Sequence, residues 1–423
     1  MLGTESGSTE FSHAECSTML AWINHTAQAT AARGKRAFIK CHCSPAGTCP
    51  EYDDLDFNFL PQYADTSMGI LPHTVQTFAL DDPSGGTYGQ DNFTYMYDWM
   101  VEVAASQPER GNVFYGETAY WVNFDINVPL FLPLYGDRRI HDLRMMRGAE
   151  EENVAVSFDG QMNFCSGWEW GYWLQDVMTS RAAWGVISPA EGSHEDAVRD
   201  ALKPIIATLV PKSSMVANTL AASVEDWLVG YMNTQKELLI HGLSENGSNY
   251  KTNGHAYMAG KDSTFEVESI VNVETQPPLL MLRRMMHADG DRDVNYENDV
   301  QPLLKEMAER FDLASAELEA LAATTKAGLR LGEAEIKLWD ELCDATKMTS
   351  LRAIQVYAVY EAANTFRTLG KLVPALNAKY ELHLKEAESA INGATAIVAR
   401  REAAYRVDSA RTGGWRWTPT SYR

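Results

Sequence analysis

The chain has 423 residues, 45% of them hydrophobic and 22% charged, with a formal net charge of −21. That length holds two or three domains with their own cores, and that acidity argues against nonspecific binding to nucleic acid or anionic membrane. No apolar run approaches the roughly 18 residues of a membrane span, and the opening MLGTESGSTEF lacks the basic and apolar regions of a signal peptide. The compartment stays open, including a secretory origin if the chain is a piece of a longer protein.

The first 185 or so residues alternate between helix and strand patterns. HAECSTMLAWINHTAQATAARG reads as a helix ended by Gly34, and RAFIKCHCS as a buried strand. A polar loop, EYDDLDFNFLPQYADTS, leads to a second strand, MGILPHTVQTFAL. After turn chemistry in DDPSGGTYGQD, NFTYMYDWMVEVAAS reads as an amphipathic helix and GNVFYGETAYWVNFDI as a third strand. GDRRIHDLRMMRGAEE is helical, NVAVSFDGQMNF strand-like, and WEWGYWLQDVMTSRAAW helical again. Four strands, each with a helix or long loop after it, predict βαβ units and a parallel sheet.

From residue 186 the character changes. Residues 194–240 read as two helices divided near LVPKSS, and 250–275 as a small hairpin. QPP at 276–278 marks a boundary, and HADGDRDVNYEND reads as a solvated acidic linker, since Val300 stands where a calcium loop needs its bidentate Glu. Beyond residue 297 the chain is almost wholly helical: Leu304, Met307, Phe311, Ala314, Leu318 and Leu321 step by three and four, and two more long patterns follow at 333–369 and 375–407. A three-helix antiparallel bundle is the simplest packing. The predicted fold class is therefore α/β followed by all-α, a partial (β/α)-barrel-like parallel sheet with a C-terminal bundle. Its domains are 1–185, 186–296 and 297–423.

Six cysteines at this length do not make a disulfide scaffold. Cys41, Cys43 and Cys49 cluster around His42, but Cys41 and His42 point to opposite faces of a strand and no second ligand pair follows at finger spacing. Free thiols are the default, a loop-closing Cys43–Cys49 disulfide the alternative, and no metal or other cofactor is expected.

Polar groups interrupt the strands near their carboxyl ends, where a parallel α/β protein places its active residues. The first strand brings Lys40 and His42, the second His73 and Gln76. On the third, Glu117, Trp121, Asn123 and Asp125 share one alternation parity; the fourth brings Asp159, Gln161 and Asn163, then Trp168, Glu169 and Trp170. Glu117 and Glu169 are the candidate catalytic pair, because glycosidic cleavage needs one carboxyl to protonate the leaving oxygen and a second as nucleophile or base. His42, His73, Tyr120, Trp121, Asn123, Asp125, Asn163, Trp168, Trp170 and Trp173 are the candidate substrate contacts: flat rings stack on sugars, and amides read hydroxyls. Simpler readings stand beside these: Glu169 as a helix first-turn carboxylate, Glu117 paired with Arg138 or Lys40, the tryptophans as core and the histidines as structural.

At FYGETAYWVNFDINVPLFLPLYGDRRIHDLR and GQMNFCSGWEWGYWLQDV the chain resembles the second half of a (β/α)8-barrel glycoside hydrolase, and its helical end resembles the all-helical domains that trail some such enzymes. The resemblance covers residues 15–185 by architecture; Gly116 stands where many retaining glycosidases carry the Asn of an Asn-Glu pair. It implies a carbohydrate partner and a hydrolase. The alternative is a non-catalytic glycan-binding or assembly protein, whose half-barrel edges a second copy or another protein would cover. A metal-dependent enzyme using His42, Cys43 and His73 is a third reading.

Overall fold

In the computed structural model the described residues are 15–44, 47–84, 87–119, 130–164, 171–185, 192–211, 214–242, 254–260, 282, 296–369 and 374–403. The chain divides into two compact units. The first comprises Met1–Ala119, Tyr135–Cys165 and Gln175–Ala201; the second comprises Tyr120–Leu134, Ser166–Leu174 and Leu202–Arg423.

The first unit opens with α1 (Cys16–Ala31), whose Cys16, Met19, Ile23 and Ala27 fall on one buried stripe. The helix stops where Gly34 adopts φ +66°, a left-handed conformation open to glycine, with its N–H returned to Ala31 O at 2.8 Å. Strand β1 (Ala37–His42) then alternates, with Ala37, Ile39 and Cys41 buried and Phe38, Lys40 and His42 half-buried. A short antiparallel pair, β2 (Thr48–Cys49) and β3 (Leu55–Asp56), turns through Asp53 and Asp54, both at positive φ. The polar loop expected here thus contains the turn and second strand of this hairpin and a 3₁₀ segment (Phe57–Tyr63), in which Phe57 and Leu60 are buried.

Strand β4 (Met68–His73) is buried throughout and pairs in parallel with β1, from Ala37 opposite Met68 to His42 opposite His73. Helix α2 (Thr94–Ser106) follows, burying Met96, Trp99, Met100, Val103 and Ala104. Strands β5 (Val113–Phe114) and β6 (Gly160–Gln161) form a second parallel pair, with α3 (Leu134–Glu152) between them in sequence. A parallel bridge from Ile70 to Asn112 joins the two pairs, so the four strands lie in the order β1-β4-β5-β6. Helix α4 (Tyr172–Trp184) and α5 (His194–Leu209) come next.

The parallel sense is the one expected, but the third and fourth strands are far shorter than their sequence patterns. Backbone bonds from Tyr115 N to Pro72 O (2.7 Å) and Glu117 N to Thr74 O (3.3 Å) continue the ladder only loosely. No barrel-like closure appears among the described residues.

Cys49 pairs with Cys16, not Cys43. Cys43 follows β1 on the same inward face as Cys41 and is a buried free thiol, whereas Cys49 in the hairpin meets the first residue of α1.

The second unit contains α6 (Met215–Gln235), continued by a π-helical turn to His241, and α7 (Gly254–Ala259). Residues 254–259 are therefore helical where a hairpin was expected; most of the remaining span to 275 lies outside the described residues, as does the bulk of the acidic segment 287–299. A π-helical turn (Tyr296–Val300) leads into α8 (Gln301–Gly328), followed by α9 (Glu333–Leu369) and α10 (Pro374–Ala403).

These three helices pack antiparallel. Lys326 meets Asp340 (2.5 Å) and Lys347 meets Asp312 (2.9 Å), so α8 and α9 run in opposite senses. Arg401–Asp344 (2.8 Å), His383–Glu361 (3.9 Å) and the Phe366–Tyr380 ring contact do the same for α9 and α10. Leu304, Met307, Phe311 and Leu318 are buried as their spacing predicts. Ser315 and Ala322 replace the half-buried Ala314 and Leu321 on the inner face, because 3.6 residues per turn drifts from a strict three-four step. No described helix is long and apolar enough to cross a membrane.

The Cys16–Cys49 bond spans 33 residues of chain, for which loop-closure entropy gives a stabilisation of about 3–4 kcal/mol. Reduction, or Cys16→Ser, is expected to lower the unfolding free energy of the first unit, read from urea titrations, by that amount; an unchanged value would show that the bridge adds no stability.

Candidate functional site

Each parallel strand delivers a polar side chain at or just beyond its carboxyl end, and three of them meet. His42 ends β1 and His73 ends β4, with ring centroids 5.2 Å apart. Tyr88, at φ +56°, lies edge-on to His42 at 5.4 Å. Glu117, three residues after β5, is 3% exposed. Its Oε1 is 3.6 Å from His73 Nε2, and its Oε2 accepts the backbone N–H of Gln76 at 2.5 Å. Gln76 itself holds φ +61°, a conformation unusual for a residue with a side chain; it turns that N–H towards the carboxylate.

The histidines are held in neutral forms by their surroundings. His42 Nδ1 accepts the Ser44 N–H at 2.9 Å and lies 2.8 Å from Ser44 Oγ. Burial first, and the Lys40 charge second, push His42 down to about 3. His73 Nδ1 faces the Tyr115 carbonyl at 2.7 Å. Burial, then Lys40, His42 and Arg139, hold His73 well below the usual histidine range against the favourable Tyr115 bond. Burial likewise pushes the Cys41 and Cys43 thiols up. Among the described residues no group of three or more His, Cys, Asp or Glu is arranged to hold a metal ion. A centre built from His42, Cys43 and His73 therefore finds no support in their placement.

Glu117 does not pair with Arg138. That guanidinium is committed to Asp82 through Nε at 2.8 Å and Nη2 at 3.1 Å, and to Asp137 through Nη1 at 2.8 Å. The neighbouring Arg139 acts instead on the backbone: Nη1 donates to Glu117 O at 3.0 Å and Nη2 to Phe78 O, while Nε lies 2.9 Å from Asp142 Oδ2. Gly116 is what lets it approach, since a Cβ there would sit 2.7 Å from Arg139 Nη1 and 2.8 Å from the Phe114 ring.

Asn163 and Trp173 are placed differently. Asn163 Nδ2 is 3.3 Å from Asp176 O and from Ser180 Oγ, so its amide serves the seating of α4. Trp173 donates its indole N–H to Glu341 at 3.1 Å, within the second unit. Tyr120, Trp121, Asn123, Asp125, Trp168, Glu169 and Trp170 lie outside the described residues. The first described turn of the following helix begins at Tyr172.

Sequence reasoning passed over Asp176. On α4, its Oδ1 is 3.4 Å from Thr118 Oγ1, which also donates to Phe164 O at 2.7 Å. Burial pushes Asp176 up to about 6, against the Thr118 bond. The only sequence signal is that it interrupts the apolar WLQDVM pattern.

No family model matches the chain, and no curated protein matches it. Among solved structures it is similar to a GH138 enzyme targeting pectin rhamnogalacturonan II, at 9% identity and a TM-score of 0.47, covering 92% of this chain and 53% of that one. The chain thus spans about half the length of that structure, and a likeness this distant locates no working residue.

Two outcomes follow from the geometry. An acid raised from 3.8 to about 6 holds its proton longer in the folded state, so its contribution to stability falls as pH rises from 3.8 to 6. Asp176→Asn is expected to remove that fall and to stabilise the protein at neutral pH by on the order of 1 kcal/mol, discounted for partial exposure; urea titrations across the pH range check it. Gly116→Ala is expected to cost about 1–3 kcal/mol through crowding of Arg139 and Phe114, measured the same way.

Proposed function

We propose that this chain is a carbohydrate-active protein of the glycoside hydrolase type, with Glu117 as one working carboxyl and Glu169 as its partner. The observation that supports it is the burial of Glu117 at a strand end beside His73 and the Gln76 N–H, with Arg138 committed to Asp82 and Asp137 instead.

One carboxyl protonates the glycosidic oxygen as the C–O bond breaks; the other attacks the anomeric carbon directly or activates a water. A separation of about 5–5.5 Å would give retention of configuration, and about 6.5–9.5 Å inversion. Tyr120, Trp121, Trp168 and Trp170 are proposed to offer flat apolar faces to sugar rings, while Asn123 and Asp125 read hydroxyls. The engaged amide of Asn163 and indole N–H of Trp173 are better suited to holding that surface than to contacting sugar.

The test is hydrolysis of a broad panel of aryl glycosides and oligosaccharides by wild type, Glu117→Gln and Glu169→Gln, with folding checked by circular dichroism. Loss of at least about 100-fold in kcat in each variant is the expected result. Full activity in Glu117→Gln would remove Glu117 from the chemistry. Glycan binding without turnover in the wild type would make the chain a binding protein on the same scaffold.

A further inference from the structure

We propose that the three-helix bundle of the second unit holds a binding site for a small organic oxyanion, a carboxylate or phosphate monoester with an apolar body, gripped by Arg400 and Lys337. The site lies between α8, α9 and α10 and stands independently of the reading given to the strand ends.

The three helices leave a cleft of about 670 Å³, within the roughly 300–1,000 Å³ of small-molecule sites. Ala322 and Ala323 of α8 and Cys343 of α9 supply an uncharged wall. Burial pushes the Cys343 thiol up to about 12, so it stays protonated at neutral pH. Lys326, Lys337, Arg400 and Arg401 also line the cleft, in a chain whose formal charge is −21. Of the carboxylates in the same wall, Asp340 is taken by Lys326 at 2.5 Å, Glu319 is exposed, and Asp344 carries both arginines.

The sharing of Asp344 decides which cation is available to a ligand. Arg401 Nε lies 2.8 Å from Oδ2, and Arg400 Nη2 occupies Oδ1. A guanidinium pairs best with a carboxylate through two parallel N–H groups, as Arg138 does on Asp82 through Nε at 2.8 Å and Nη2 at 3.1 Å. Arg401 has not completed that grip. Its Nε and Nη2 are both buried without a hydrogen bond among the described residues, while Arg400 holds the oxygen that Nη2 would need.

Withdrawing Arg400 therefore does not strand Asp344. The Arg401 side chain, 17% exposed, remains and closes its fork on both oxygens; that of Arg400, 59% exposed, is released to donate to a ligand. Lys337 is available for a different reason. Its partner Glu333, one helical turn away at 2.6 Å, forms with it an exposed pair of the kind that contributes little. Two cations that leave their carboxylates at small cost thus line one cleft with an uncharged wall, and an oxyanion with an apolar body matches both features.

The experiment titrates the full chain with inorganic phosphate, phenyl phosphate and benzoate by calorimetry, and follows iodoacetamide labelling of Cys343 by peptide mass spectrometry. Phenyl phosphate or benzoate is expected to bind more tightly than inorganic phosphate and to slow Cys343 labelling severalfold. The tighter of the two assigns the oxyanion as phosphate or carboxylate. Arg400→Gln is expected to weaken that binding at least about tenfold, and Lys337→Gln severalfold, with the urea midpoint little changed in either.

Absence of binding by both organic probes, binding unweakened in Arg400→Gln, or binding that leaves Cys343 labelling unchanged would each overturn the proposal. Inorganic phosphate binding as tightly as either organic probe would overturn the organic class. The labelling measurement needs no variant to fold.

Discussion

The first unit depends on a guanidinium that has no water around it. Arg139 is fully buried, and an unmatched charge there would cost several kcal/mol. Its charge is answered by Asp142, its donors by the carbonyls of Phe78 and Glu117, and its flat face by the Phe114 ring at 5.9 Å. Those two carbonyls belong to the segments that follow β4 and β5. The same helix also fixes the first of them through Asp142, which accepts the Leu80 N–H, and through Arg138 on Asp82, which accepts the Ala79 N–H. Two loops that would otherwise move independently are thereby held to one helix, and His73 and Glu117 face each other as a result.

The chemistry follows from that dryness. Histidines that would titrate near neutrality in water are kept neutral and thiols are kept protonated, while Glu117 accepts a backbone N–H and lies beside an imidazole. A metal would need several deprotonated ligands converging on one point, and this cluster is arranged along the strand ends instead.

In sequence, the stretch FCSGWEWGYW sets a carboxylate among tryptophans. A different carboxylate, Glu341 of α9, is buried against its described end and accepts from both Gly171 N (2.8 Å) and Trp173 Nε1 (3.1 Å). Gly171, at φ +74°, lies so close to Phe131 that a Cβ would approach the ring to 2.6 Å. Phe131 in turn donates its N–H to Thr349 and accepts from Gln235. Aromatic stretches of this kind look like ligand surface in sequence, yet part of this one is packing for the bundle.

What the sequence by itself determined is periodic and local. Apolar spacing placed α1, α2 and the three long helices to within a few residues, because burial of one face is written directly into a 3.6-residue repeat. It also ordered the four strands as parallel and set polar residues at their ends, including His42, His73 and Glu117. The tertiary structure alone decided the pairings. Cys49 took Cys16 rather than Cys43, Arg138 took Asp82 and Asp137 rather than Glu117, and Asp176 acquired its raised affinity for a proton. Each of these is set by distance between residues far apart in the chain and by exclusion of water around them, and neither quantity has a period that a linear pattern can carry.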